Sequence, residues 1–313
     1  MTAELTIGPI LFHWPAETMR DFYFRIADDP AVDTVYLGEV VCSKRFPLFE
    51  PYLDEITERL CDGGKKVVYS TLAEVIIRHD RQQVKYVCAH NDVSIEANDG
   101  SALLYLCGKP FRVGPFLNVY NEDSLEFLAG KGAIHVTLPP ELPAESIRVM
   151  AGSARELGVT PEVMVYGRIP LALSARCYHA RAHQTKKDNC QFICGEDPDG
   201  MVLKTQDGKP FLAINGIQTL SYNCLNLVYE LKALQDMGVS AFRLSPHSYD
   251  MSEIIQLFRA VLDNELPATE AVTRLKISDH PFPYVNGFYY KREGYKYIGA
   301  GDDKTGLRTN TGD

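Results

Sequence analysis

The feature that most constrains this chain is an alternation of short, apolar, β-rich runs with amphipathic stretches of helical spacing. The alternation repeats about eight times, as expected of parallel strands joined by crossover helices. Eight such units predict an α/β fold of the TIM-type (β/α)8 barrel class. The predicted strands are Leu5–Ile7, Thr34–Leu37, Lys66–Tyr69, Val93–Glu96, Arg112–Val119, Ala133–Leu138, Glu162–Tyr166 and Ala241–Leu244. The predicted helices include Leu53–Leu60, Ser124–Ala129, Glu145–Leu157, Val228–Met237 and Ser252–Leu262.

The segment between the last two predicted strands is much longer than an ordinary βα loop. It spans about 176–222 and contains the turn-rich run Gly195–Gly200. We therefore predict an inserted functional subdomain within a barrel that covers residues 1–277. The tail, 278–313, is rich in proline, glycine, tyrosine and charge, so we expect it to be irregular, with 301–313 disordered.

Charge and hydropathy exclude some classes of function. The formal net charge is −9 and no dense Lys/Arg run occurs, which argues against nucleic acid as the main partner. The N-terminal sequence lacks the pattern of a signal peptide, and no apolar stretch approaches the ~20 residues of a transmembrane helix. The sequence therefore predicts a cytoplasmic protein without a transmembrane segment.

Three of the eight cysteines form a close group inside the predicted insertion. Cys177, Cys190 and Cys194 lie in polar, loop-like sequence rather than at periodic apolar positions. Thiolates bind zinc and iron-sulfur clusters, and four ligands complete either kind of site. The fourth ligand is either Cys42, which follows strand two on the same barrel face, or Cys224. Spacing alone leaves that choice open.

The sequence around the remaining cysteines indicates buried residues rather than ligands. Cys61, Cys88 and Cys107 are interpreted as small buried hydrophobes, two in helical patterns and one in a strand-like run. The sequence has no CxxC motif, which argues against an ordinary zinc ribbon. The CxxxCxxC pattern of radical-SAM enzymes is also absent.

Polar residues near the ends of the predicted strands are candidates for binding a substrate. Arg168, Arg243 and His247 could bind a dicarboxylate, although ordinary salt bridges at the barrel rim are the alternative.

Other polar residues offer weaker candidates. His179 and His183 could support a metal site through hydrogen bonds, or they could be solvated loop histidines. Glu39 and Asn98 are expected to order loops.

Several runs resemble the collagenase-like peptidase family U32. They are Tyr36–Glu39, Glu96–Asp99, and Glu162–Gly167 followed by Cys177, and the resemblance covers nearly the whole barrel. Further runs are similar to the branch of that family that acts in oxygen-independent ubiquinone biosynthesis. These runs are Leu37–Arg45, Leu173–Cys177, Asn215–Thr219 and Arg243–Pro246.

The resemblance implies a ligand set. The broader family usually has a cysteine three residues after the glycine that matches Gly167, where this chain has Pro170. In the ubiquinone branch, the cysteine that matches Cys42 takes its place. The resemblance thus implies a 4Fe-4S cluster, rather than zinc, held by Cys42, Cys177, Cys190 and Cys194.

The resemblance also implies a function. It points to one component of an oxygen-independent hydroxylase of ubiquinone precursors, in a heterodimer with a UbiU-like protein and with prephenate as oxygen donor. A lipid-carrier protein of the same pathway is a further expected partner. The alternatives are a non-catalytic partner with a structural cluster, a U32-type peptidase, and an RNA-modifying protein. The sequence contains neither an HExxH nor a GxSxG motif, so no catalytic motif supports proteolysis.

Overall fold

Eight parallel strands close into a barrel, as predicted. The computed structural model describes residues 3–277 and 282–299. Its strands are β1 (Glu4–Ile7), β2 (Thr34–Leu37), β3 (Lys66–Ser70), β4 (Ser94–Ala97), β5 (Phe111–Val113), β6 (Ala133–Leu138), β7 (Thr160–Leu173), β8 (Met201–Lys204), β9 (Pro210–Asn215), β10 (Gln218–Asn226), β11 (Ala241–Leu244) and β12 (Tyr284–Val285). Strands β1 to β7 pair in chain order, and β11 closes the ring by pairing with both β7 and β1.

Helices surround the barrel between successive strands. They are α1 (Ala16–Asp28), α2 (Phe46–Phe49), α3 (Leu53–Asp62), α4 (Arg78–Val87), α5 (Leu103–Leu106), α6 (Glu122–Ala129), α7 (Ala144–Glu156), α8 (Tyr178–Ala182), α9 (Leu231–Asp236), α10 (Ser252–Leu262) and α11 (Ala268–Ile277). Helix α10 illustrates the packing: Ile254, Phe258 and Val261 recur at helical spacing and are buried. In the described part of the chain, no helix combines the length and hydrophobicity needed to cross a bilayer.

Two of the predicted strands end several residues away from their observed ends. The fifth strand was expected to reach Val119 but ends at Val113, and a 3-10 turn follows at Pro115–Leu117. Proline has no N–H to donate to a sheet, so Pro115 ends the pairing. Strand β7 is longer than predicted and continues to Leu173, which places Arg168 inside the strand rather than in a loop.

The second half of β7 leaves the barrel and supports the inserted segment. It pairs antiparallel with β10, which pairs with β9, and β9 pairs with β8. Helix α8 and the 3-10 turns Lys187–Asn189 and Ile193–Glu196 lie between β7 and β8. The tail contributes β12, which pairs with β10. The disorder expected for 301–313 concerns residues outside those that the structure describes.

Candidate functional site

The loop that follows β2 holds Cys42 in a defined turn. The buried carboxylate of Glu39 accepts hydrogen bonds from the backbone N–H groups of Val41 at 2.7 Å and of Cys42 at 2.8 Å. Satisfying two backbone donors with one carboxylate fixes the path of the chain just beyond the strand. Glu39 therefore orders the loop, as expected.

Two basic residues tie this loop to the insertion. The ammonium group of Lys44 donates to the backbone carbonyl of Lys187, in the turn that precedes Cys190. The guanidinium of Arg45 donates through Nη2 to Cys194 Sγ at 3.2 Å and to Asn215 Oδ1 at 2.7 Å. The Cys42 loop thus contacts the turn that precedes Cys190 and the turn that contains Cys194.

Arg45 is a buried cation with spare donors. Its side chain is only 3% exposed, and among the described residues its Nε and Nη1 atoms have no hydrogen-bond partner. The Glu39 carboxylate lies 4.0 Å from Nη1, near enough for charge attraction. Gly216 has a φ of +64° and lies against the guanidinium, where an added Cβ would come within 2.6 Å of Nη2.

The three cysteines of the insertion lie on short helical turns. Cys177 caps the N-terminus of α8 and its Sγ accepts from Ala180 N at 3.4 Å. Cys190 follows the turn Lys187–Asn189, and Cys194 is buried in the next turn. Arg45 acts electrostatically on both Cys42 and Cys194, and Cys177 acts on Cys194, so charges at these positions interact.

The spacing of the thiols differs from that of a single-ion site. No three cysteine sulfurs of the described residues lie within 4.8 Å of one another. Thiolates on one tetrahedral zinc ion must be about 4 Å apart, given Zn–S bonds of about 2.3 Å. A 4Fe-4S cluster has a thiolate at each of its four irons, so its ligands are spaced more widely.

Burial affects the chemistry of these thiols. It raises the pKa of Cys42 and of Cys194, although the neighbouring Arg45 guanidinium opposes the rise. The neutral thiol form is therefore favoured at both positions.

The other four cysteines lie elsewhere. Cys224 is fully buried on β10 opposite Arg168 of β7, and burial raises the pKa of its thiol to about 12. Cys88 is buried, as predicted. The prediction of burial is wrong for Cys61 and Cys107, which are exposed. Cys107 follows the short helix α5 rather than lying in a strand, because Leu103 to Leu106 form a single helical turn.

A group of side chains that could hold a metal ion lies close in sequence to Cys177 and Cys194. His179, His183 and Asp197 place ligand atoms within 4.8 Å of one another. His179 is fully buried, so the prediction of a solvated loop histidine is wrong for it, whereas His183 is exposed. Burial lowers the pKa of His179 and thus favours the neutral ring.

The barrel interior contains a dense ion network. Arg243 donates through Nη2 to Glu96 at 2.6 Å and through Nε to Glu162 at 2.9 Å, and its guanidinium stacks 3.9 Å from the ring centroid of Tyr36. Burial raises the pKa of Glu162, but the Arg243 guanidinium and neighbouring hydroxyl groups stabilise the carboxylate more strongly. The net effect lowers the pKa of Glu162 to about 2. Asn98 also donates to Glu96 at 3.1 Å, so it belongs to this network.

This network corrects the prediction for Arg243, which lies inside the barrel rather than at its rim. It nevertheless lines a cleft of about 440 Å³ at the end of the barrel where the strands finish. The cleft is also lined by Thr137, Asn118 and Glu141 together with apolar residues such as Phe116. Its position matches that of active sites in TIM barrels.

The other two predicted anion binders do not line that cleft. Arg168 is buried against the Phe282 ring, 4.0 Å from its centroid, and donates to Ser221 O at 3.3 Å. His247 is buried beside Tyr166, with Nε2 and the hydroxyl 2.9 Å apart. The structure therefore brings only Arg243 of the three to the barrel cleft.

Comparison with known proteins gives a family. The model of peptidase family U32 matches residues 22–298. The chain belongs to peptidase family U32. This family match spans the barrel strands from β2 onward, the insertion and β12.

Several solved structures are similar at low sequence identity. An uncharacterised protein from Clostridium thermocellum that binds two copies of 5-methyl-5,6,7,8-tetrahydrofolic acid is 6% identical, with 84% of this chain and 94% of that chain covered and a TM-score of 0.44. The spore cortex-lytic enzyme SleL of Bacillus megaterium QM B1551 is 9% identical, with 82% and 74% covered and a TM-score of 0.40. A family GH18 chitinase from Cycas revoluta is 10% identical, with 86% and 99% covered and a TM-score of 0.37.

Sequence reasoning overlooked two groups that the structure places at the site. Arg45 lies in the run Leu37–Arg45, which carries part of the family resemblance. Its contact with Cys194 joins residues 149 positions apart, and such a contact produces no local pattern in the sequence. His13 follows β1 and packs 5.5 Å from the Phe192 ring, and burial together with Arg45 lowers its pKa to about 4. The position of His13 after a barrel strand was the available signal for it.

Proposed function

We propose that this U32 protein is a UbiV-like component of an oxygen-independent hydroxylase that acts on the aromatic ring of ubiquinone precursors. It would carry a 4Fe-4S cluster on Cys42, Cys177, Cys190 and Cys194 and form a heterodimer with a UbiU-like protein. Prephenate would be the oxygen donor. A lipid-carrier protein of the same pathway would present the substrate.

One observation carries the proposal of the cluster. The Cys42 loop contacts the cysteine-bearing turns through Lys44 and Arg45, whereas Cys224 lies opposite Arg168. This arrangement supports Cys42, rather than Cys224, as the fourth ligand.

The chemistry around the thiols fits such a centre. Four thiolates would make the site strongly anionic, and a buried guanidinium with two nitrogens that have no hydrogen-bond partner among the described residues is a suitable counter-charge. The backbone N–H of Ala180 and the Nη2 atom of Arg45 already point at cysteine sulfurs. When bound, a 4Fe-4S cluster supplies one-electron transfer or structural support.

The barrel cleft is the proposed site for the small-molecule reactants. It combines aromatic and aliphatic walls with hydroxyl, amide and carboxylate groups, and this mixture suits an aromatic ring with polar substituents. Arg243 lines it but already has two carboxylate partners, so its role is to hold Glu96 and Glu162 in position. Among the described residues that line the cleft, Arg243 is the only Lys or Arg, so in this proposal a further cation for a substrate carboxylate would come from the partner subunit.

The first test is the metal content of anaerobically purified protein, with and without the UbiU-like partner. We expect about four irons and four sulfides per chain and a visible absorption band of iron-sulfur type. Cys42→Ala should lose them, whereas Cys224→Ala is the matched control and should keep them. Stoichiometric zinc without sulfide, or loss only in Cys224→Ala, would overturn the ligand set.

The second test addresses the reaction. The reconstituted pair should convert a prenylated phenol to its hydroxylated product under strict exclusion of dioxygen, and only when prephenate is added. Product formed by the partner alone at the same rate would instead establish this chain as a non-catalytic subunit. Hydrolysis of peptides by the purified chain would favour the peptidase alternative suggested by the family name.

A further inference from the structure

The hydrogen bonds of His179 and His183 fix the state of both rings. His179 Nδ1 lies 3.2 Å from the carbonyl oxygen of Ile214, and His183 Nδ1 lies 3.0 Å from the carbonyl oxygen of His179. A carbonyl oxygen only accepts hydrogen bonds, so each Nδ1 must carry the hydrogen. In a neutral ring, Nε2 is then the unprotonated nitrogen with a free lone pair.

The lone pair of His179 Nε2 lies close to a carboxylate. Asp197 Oδ2 is 2.9 Å from His179 Nε2, yet that buried nitrogen makes no hydrogen bond of acceptable geometry among the described residues. A nitrogen lone pair and an anionic oxygen at this distance repel each other unless a cation lies between them. The rings of His179 and His183 stack with their centroids 5.3 Å apart, which brings the second imidazole to the same place.

This pattern is characteristic of metal ligands. Histidines that bind a metal through one ring nitrogen usually donate the other N–H to a carbonyl or a carboxylate, which orients the ring. Two imidazoles and one carboxylate suit zinc and the neighbouring first-row divalent ions, and three protein ligands leave a coordination position open.

We propose that His179, His183 and Asp197 form a binding site for one divalent first-row metal ion, distinct from the cysteine site. The ion joins α8 to the segment that follows Cys194. His179 comes two residues after Cys177, and Asp197 three residues after Cys194. Occupation of the site therefore fixes the relative positions of two segments of the insertion.

Cobalt(II) is the probe, because its visible spectrum distinguishes nitrogen and oxygen ligands from thiolates. The protein is titrated anaerobically with cobalt, and bound metal is counted for wild type, His183→Ala and Asp197→Asn. His183 is exposed and Asp197 only partly buried, so both variants should fold, which circular dichroism checks. Asp188→Asn is the matched control, since this acidic residue of the same insertion is fully exposed.

We expect one cobalt ion per wild-type chain with no thiolate charge-transfer absorption. This ion should bind at least tenfold more weakly in His183→Ala and Asp197→Asn and unchanged in Asp188→Asn. Equal binding by all four proteins would overturn the site. Cobalt that appears only with thiolate charge-transfer absorption would overturn it as well, because the metal would then be on the cysteines.

Discussion

Two buried arginines in this molecule have very different surroundings. Arg243, inside the barrel, is held by two carboxylates, a threonine hydroxyl and an aromatic ring. Arg45, beside the insertion, touches a cysteine sulfur and an amide oxygen and has one carboxylate, that of Glu39, 4.0 Å away; among the described residues, two of its nitrogens have no hydrogen-bond partner. A buried charge whose counter-charges are already present stabilises the fold, whereas one with spare donors is suited to an anionic ligand.

The largest loss of stability is expected from removing Arg243 from its network with Glu96 and Glu162. Arg243→Met leaves Glu96 and Glu162 buried without their cation, which should lower the free energy of unfolding by about 3–5 kcal/mol. Urea unfolding followed by circular dichroism measures this. Adding Glu162→Gln to Arg243→Met should recover part of the loss. A loss below about 1 kcal/mol in the single variant would show that the ion pairs of Arg243 contribute little to stability.

The second prediction concerns acid stability of the same network. Burial and the nearby arginines lower the pKa of His135 from 6.5 to about 3, although Glu162 opposes the shift. Between these values the unfolded chain binds a proton that the folded protein does not. Stability is therefore full above about pH 6.5 and falls on acidification, by about 2–3 kcal/mol between pH 6 and 4 from this residue.

His135→Asn is the test of that assignment. The variant cannot titrate at this position, so its unfolding free energy should depend less steeply on pH over the same range. Measurements of urea unfolding at a series of pH values compare the two proteins. Parallel pH profiles for wild type and His135→Asn would show that another group is responsible.

The third prediction probes the wall of the Arg45 site. Gly216→Ala combines a left-handed backbone with a Cβ that would come within 2.6 Å of Arg45 Nη2, so it should destabilise by about 1–3 kcal/mol. Gly64→Ala is the matched control, because Gly64 also has a positive φ but nothing lies within 4 Å of its added Cβ. Equal losses in both variants would mean that contact with Arg45 contributes nothing.

The smallest effect on stability is expected for Arg45→Met in metal-free protein. Glu39 loses its neighbouring cation, but it keeps its two backbone donors, and burial raises its pKa so that the carboxyl can take up a proton. The change should therefore stay at about 1 kcal/mol. A loss as large as that of Arg243→Met would remove the distinction between the two arginines.

In protein that carries the cluster, the same Arg45→Met variant tests whether Arg45 stabilises the reduced state. Loss of the positive charge should disfavour addition of an electron by about tenfold, which for one electron is a drop of about 59 mV in reduction potential. Lys44→Met is the control, since this neighbouring cation is more exposed and better screened. Equal potentials in wild type and Arg45→Met would exclude Arg45 as the counter-charge.

Much of the architecture followed from local pattern. The strand at Thr34–Leu37 and the helix at Ser252–Leu262 lie where periodicity predicted them. The fifth strand was predicted too long, because its apolar composition continued past a proline that ends pairing. Exposure of Cys61 and Cys107 was also missed, because a residue type gives only an average tendency to be buried.

The sequence by itself determined the barrel, the position of the insertion and the cysteine spacing, because strand periodicity and loop length are encoded over a few neighbouring residues. The tertiary structure decided which charged groups have their ion-pair and hydrogen-bond partners within the protein. It placed Arg243 between two carboxylates, set Arg45 against Cys194, and brought Asp197 to His179. These contacts join distant positions, and only closure of the barrel and folding of the insertion over it bring them within a few ångströms of one another.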